Sequence, residues 1–204
     1  MTREELMRNA KPILFNTEMV RAILDGKKTV TRRVIKDEVK DKQEINKNGK
    51  GEYELYDVTP RCGIPKGKIY KTPYQPGDIL YVRETFVQAA AHIFWYKSDK
   101  KSWINNKNMP WKPSIHMPKE AARIFLKVTD VRVEKLQDIT DEEAKREGSQ
   151  PQNPFDYDVN KWPNKEHFKE IWNSTVKKSD IDRYGWGANP WVWVIEFERI
   201  GVRF

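Results

Sequence analysis

Around Gly26 the hydrophobic repeat changes period, and few local backbones satisfy that change. Val20, Ile23 and Leu24 recur at helical spacing. Thr17 stands where an N-cap belongs, and Gly26 falls where a left-handed residue stops a helix. From Thr29 the period is two: Thr29, Thr31 and Arg33 lie to one side, and Val30, Arg32 and Val34 to the other. A helix over 17–25 must therefore turn directly into a strand over 29–35. The junction carries an amine (Lys28), a hydroxyl (Thr31) and a fixed cation (Arg33), which this geometry can aim into one cleft.

The flanking chain reads as mixed α and β. Residues 1–11 are polar and are expected to be frayed, and Pro12 to Phe15 form a short strand. From Lys36 to Lys50 lysines mix with acids, Asn and Gly, which predicts loop. A strand over 52–58 is expected to pair with one near 68–71, with Arg61-Cys62-Gly63 in the turn between them. Pro76-Gly77-Asp78 is a turn before a strand over 79–87, on which Leu80, Val82, Glu84 and Phe86 share a face. A carboxylate so placed needs a cationic partner or a cavity mouth. A further strand spans His92 to Tyr96, and Trp111 to Pro118 is too rich in proline for a helix.

The longest strand runs from Arg123 to Leu136. Its apolar parity switches between Val128 and Val131, which predicts a bulge near Thr129-Asp130. Thr140 caps the next helix with Glu143 completing a capping box, and Gly148 ends it. A second helix over 164–173 carries Phe168, Ile171 and Trp172 as its stripe. Lys177-Lys178 and Tyr184 to Gly187 read as loop. In the closing strand Trp191, Trp193, Ile195 and Phe197 face the core.

Composition narrows the partners. The 204 residues suit a single domain, with net charge +8 and eight each of Trp, Tyr and Phe. Basic charge with aromatics suits phosphates and stackable bases, and equally an ordinary lysine-rich surface. One cysteine, Cys62, excludes an internal disulfide and argues against a cysteine metal cluster. His92, His116 and His167 have no metal-ligand spacing. With no membrane-length apolar run, and with Met1 to Glu5 lacking a signal's apolar region, the expected setting is the cytoplasm, as a monomer or small homo-oligomer.

Gly26-x-Lys28-x-x-Thr31-x-Arg33 after a short helix resembles the G-x-K-x-x-T-x-R signature of ASCH domains, members of the PUA-like superfamily. Three more segments fit in order: Pro76 to Glu84, Leu136-Gln137-Asp138-Ile139-Thr140, and Trp191 to Phe197. The resemblance implies an α+β fold, a PUA-like small β-barrel with a few flanking helices. It covers residues 1–204 as one domain, with insertions at approximately 36–72 and 88–118. One group of ASCH proteins removes acyl groups from the exocyclic N4 amine of cytosine nucleosides such as N4-acetylcytidine, and needs no cofactor. Its active residues, carried over one at a time, fall on Lys28, Thr31 and Glu147. Those compact proteins are about half this length, which leaves pocket walls and substrate scope open.

In that chemistry Thr31 is the nucleophile and requires a base. Lys28 serves only as the neutral amine, so its pKa must fall well below the ordinary value of about 10.4. Glu147 orients Lys28 or protonates the leaving nitrogen. Arg33, Arg32, Glu84, His116 and Trp111 are the candidate substrate contacts. The alternative is an RNA-binding module or a ribonuclease, in which the cations neutralise phosphates and Trp111 or Trp186 stacks bases. A third reading makes Lys28, Thr31 and Glu147 a structural polar network.

Overall fold

The computed structural model describes residues 2–36, 43–47, 53–57, 68–99, 109–149 and 164–201. It is an α+β fold built on a five-stranded sheet. In chain order the elements that frame this sheet are α1 (Arg3–Asn9), β1 (Lys11–Leu14), α2 (Thr17–Leu24) and β2 (Val30–Val34). Outside it lie β3 (Gln43–Lys47), β4 (Tyr53–Asp57) and β5 (Lys68–Tyr70), then β6 (Ile79–Arg83), β7 (Phe86–Ala90) and β8 (Ile93–Tyr96). The chain ends with β9 (Phe125–Lys135), α3 (Asp141–Arg146), α4 (Asn164–Thr175), α5 (Ile181–Tyr184) and β10 (Trp191–Ile200).

The main sheet has the order β1-β6-β9-β10-β2; β3-β4-β5 and the β7-β8 hairpin are separate. Only β1 and β6 run parallel, and the other pairs in the main sheet are antiparallel. Its curvature has an identifiable source. Glu196 pairs with Asp130 and Phe197 with Val128, so Thr129 is an extra residue on β9. The bulge lets Val128 and Val131 face the same interior despite their opposite parity.

That interior holds Ile13, Phe15, Val20, Ile23, Leu80, Val82, Leu126, Ile195 and Phe197. The opposite face packs Val30, Val192 and Val194 on Ala144 of α3 and on Phe168 and Trp172 of α4. Among the described residues the strands do not close into a barrel. The curl nevertheless brings the two edges together, because Arg33 of β2 donates from Nη2 to Leu14 O of β1 at 2.6 Å.

Several sequence expectations are corrected. Residues 3–9 are helical, not frayed, because a Thr2/Glu5 capping box fixes the start and Leu6 is buried. The N-cap of α2 is Asn16, whose side chain accepts from Met19 N at 2.8 Å, and Thr17 is its first helical residue. Within the expected loop at 36–50, Gln43–Lys47 is a strand paired to β4, a partnership that local composition does not encode.

The strand expected over 79–87 breaks at Glu84-Thr85, so Phe86 joins Leu6 and Tyr81 rather than Leu80 and Val82. Tyr184, expected in a loop, is the last residue of α5. The turn around Cys62 lies outside the described residues. No helix among the described residues is long and apolar enough to cross a membrane.

Candidate active site

Two glycines in the left-handed region build the junction. Gly26, at φ 72°, ends α2, and the chain doubles back so that the Lys27 and Lys28 amides both donate to Ala22 O, at 2.8 and 3.0 Å. Gly148, at φ 86°, ends α3 in the same way, with Ser149 N reaching Ala144 O at 3.2 Å. The two ends are in tight contact: a Cβ on Gly148 would sit 2.8 Å from Ala22 Cβ and 3.4 Å from Lys28 Cβ. Thr29 N then donates to Arg146 O at 2.9 Å, seating the loop on the end of α3. Glu147 is thereby delivered beside Lys28, 119 positions away in the chain.

Lys28 is 2 % exposed. Its Nζ donates to Glu147 Oε2 at 2.5 Å, Glu147 O at 2.9 Å and Val30 O at 2.8 Å. Three acceptors match the three protons of an ammonium group. Burial holds the Lys28 pKa below the ordinary lysine value, and Arg33 and Arg32 push the same way while Glu147 opposes them. One proton moved along the 2.5 Å contact would convert the ion pair to a neutral amine and a carboxylic acid.

Thr31 is also buried, and its hydroxyl has no hydrogen-bond partner among the described residues. It lines a cleft of about 290 Å³ with Glu147, Arg33 and Arg32, beside Phe15, Asn16 and Met19. Phe168, Ile171, Trp172 and Thr175 of α4 form another wall, and Thr85, Pro113 and Ser114 reach in from the far side. Lys28 does not line the cleft; it stands behind Glu147. The site thus has a hydroxyl and a carboxylate at the surface with a buried amine behind them.

The two arginines differ. Arg33 lies over the Phe15 ring, 5.2 Å from its centroid, and burial lowers its pKa. Arg32 has its charge met inside the protein, by Glu143 at 3.0 Å, Glu134 at 3.1 Å and Glu147 at 3.4 Å. Its Nε is buried without a hydrogen-bond partner.

The remaining candidates are not brought to the cleft. Glu84 is buried in a structural ion pair, accepting from Arg123 Nε at 2.8 Å and Nη2 at 3.1 Å and from the Ser98 hydroxyl. The proline-rich segment 111–118 reaches the cleft through Pro113 and Ser114, whereas His116 is exposed and neither it nor Trp111 is a lining residue. Trp186 packs edge-on against Phe168 at 6.2 Å. Sequence reasoning missed Phe15, Asn16, Met19 and Trp172 as walls. A helical stripe such as Phe168, Ile171 and Trp172 signals burial, and nothing in it tells core from cleft. Among the described residues no three His, Cys, Asp or Glu side chains are placed to hold a metal ion.

In comparisons with known proteins no family model, curated protein or solved structure matches this chain.

Proposed function

We propose that this protein is an amidohydrolase that removes acyl groups from the exocyclic N4 amine of cytosine nucleosides, on a PUA-like fold of the ASCH type. One observation carries the reading: a Thr31 hydroxyl without a hydrogen-bond partner among the described residues shares a cleft with Glu147, whose other side is bonded to a buried Lys28. At about 290 Å³ the cleft stands at the lower end of the roughly 300–1,000 Å³ typical of small-molecule sites. The curled sheet with bridged edges is compatible with a small barrel.

In the proposed reaction Thr31 Oγ1 attacks the acyl carbonyl carbon. Transfer of the Lys28 proton to Glu147 gives a carboxylic acid to protonate N4 and a neutral amine, which accepts the Thr31 proton once Lys28 shifts from its bonds to Val30 O and Glu147 toward the hydroxyl. Burial lowers the Lys28 pKa against the opposing Glu147 charge, the direction a basic amine requires. Lys28 Nζ already holds the carbonyl of the peptide joining Val30 to Thr31, one peptide unit from the nucleophile. Arg33, a lining residue of the cleft, is the donor proposed for the oxyanion. The acyl C–N4 bond breaks, the deacylated nucleoside (cytidine) leaves, and water hydrolyses the acyl-threonine to a carboxylic acid and the original hydroxyl.

Incubation with N4-acetylcytidine, followed by ultraviolet absorbance, tests this directly. Wild type is expected to release cytidine, and Lys28→Ala and Thr31→Ala are expected to be inactive. Turnover surviving both substitutions would move the site elsewhere. A folded wild type that releases nothing from any of several acyl groups would reject the hydrolase and leave RNA recognition as the reading.

A further inference from the structure

A second cavity, of about 470 Å³, adjoins the cleft and shares Arg32, Arg33, Trp172 and Thr175 with it as common walls. Its own lining adds Lys36 beyond the end of β2, Lys177 beyond the end of α4, and Asp180 and Tyr184. Among the described residues Lys36 and Lys177 make no ion pair, and the hydrogen bonding of Arg33 is to Leu14 O alone. Among the described residues Asp180, which accepts from the Ser179 hydroxyl at 3.2 Å, is the one carboxylate in the lining. Arg33, Lys36 and Lys177, none of them ion-paired among the described residues, thus face one acid. Arg32, whose buried Nε has no acceptor, lines both cavities.

We propose that this second cavity is a phosphate subsite, so that the ligand of the cleft is a nucleotide rather than a bare nucleoside. The inference rests on the reading of the cleft as a cytosine nucleoside site. Nothing else about that site requires a phosphate, so the two can fail separately. A tetrahedral oxyanion next to a nucleoside-sized cleft takes up donors from Arg33, Lys36 and Lys177, and such charge-assisted bonds are the strong ones. Solvated surface lysines would need no shared wall with the cleft. The phosphate belongs either to a free mononucleotide or to a strand, and the two sources separate experimentally.

Calorimetric titration with unmodified ligands reads binding without requiring turnover. The ligands are cytidine, cytidine 5′-monophosphate, cytidine 3′-monophosphate and a trinucleotide with central cytidine and no terminal phosphates. At least one phosphate-bearing ligand is expected to bind about tenfold or more tightly than cytidine, a margin that two charge-assisted hydrogen bonds readily supply. The margin is expected to shrink as salt rises. In Lys36→Glu and Lys177→Glu the ratio of the two affinities is expected to fall toward one, while Lys97→Glu, an equal charge change at an exposed residue that lines neither cavity, retains it. A monophosphate in the lead identifies a free nucleotide, and the trinucleotide in the lead identifies a strand.

Equal affinities for cytidine and its phosphates, no binding by any phosphate-bearing ligand, or a margin that survives both reversals would overturn the subsite. Release of cytidine from N4-acetylcytidine without a phosphate preference sinks the subsite alone. A phosphate preference without that release sinks the hydrolase alone.

Discussion

At the residue scale the site turns on a single buried pair. Taking Lys28 and Glu147 out of water is expensive, and their short contact repays this only while both are present. Lys28→Met leaves the Glu147 carboxylate with Arg32 at 3.4 Å as its nearest cation. Its expected cost is about 3–5 kcal/mol in urea unfolding, the range for breaking one side of a buried pair. Adding Glu147→Leu to Lys28→Met is expected to recover part of that loss, because the unpaired charge is gone. Strictly additive costs would mean the two groups do not interact. The pattern of an amine three residues before a hydroxyl was legible from the sequence. The depth of Lys28 was not, since lysine is rarely buried and only the packed ends of α2 and α3 exclude water from it.

At the element scale the decisive feature is how two helix ends meet. Caps and stops are local, so Thr140 with Glu143, Gly26 and Gly148 could be placed from the sequence. The N-cap of α2 was misplaced by one residue because Asn16 and Thr17 are both good caps, and the backbone selects Asn16. Gly148 carries more than a stop signal, since a Cβ there would collide with Ala22. Gly148→Ala is therefore expected to destabilise by at least about 1–2 kcal/mol from the left-handed backbone alone. It is also expected to reduce cytidine release by displacing Glu147. A variant of wild-type stability and full activity would show that the junction tolerates separation.

At the scale of the molecule, an ion network ties β9, β10 and α3 together. Arg132 bonds Glu134 and Glu196 at 2.5 Å and Glu143 at 2.6 Å, and Arg146 bonds Glu196 at 2.5 Å. The Arg146 hydrogen bond, with Arg132, holds the Glu196 pKa below the ordinary value against partial burial. Burial raises that of Glu143, but the Thr140 backbone amide with Arg32 and Arg132 together outweigh it and leave the pKa lowered. Carboxylates that bind protons less readily when folded stabilise the fold above their unfolded pKa of about 4.3, and acid removes that contribution. The urea midpoint is expected to hold steady above about pH 5 and to fall below about pH 4.3, with a shallower fall in Glu196→Gln. A midpoint that rises on acidification would contradict this assignment.

Local sequence pattern reaches what depends on neighbours a few residues apart. It was enough to read the change of period at Gly26, the capping box at Thr140, the stripe of α4 and the bulge at Thr129, since each is set by local sterics and by which face of a strand or helix is apolar. Tertiary structure alone decided what depends on partners far along the chain. It placed Glu147 on Lys28, committed Glu84 to Arg123 and Arg32 to three carboxylates, and turned Trp172 into a wall between two cavities. The physical reason is that a polar side chain's role is set by what neutralises and desolvates it. Those groups arrive from elements whose pairing no local pattern records.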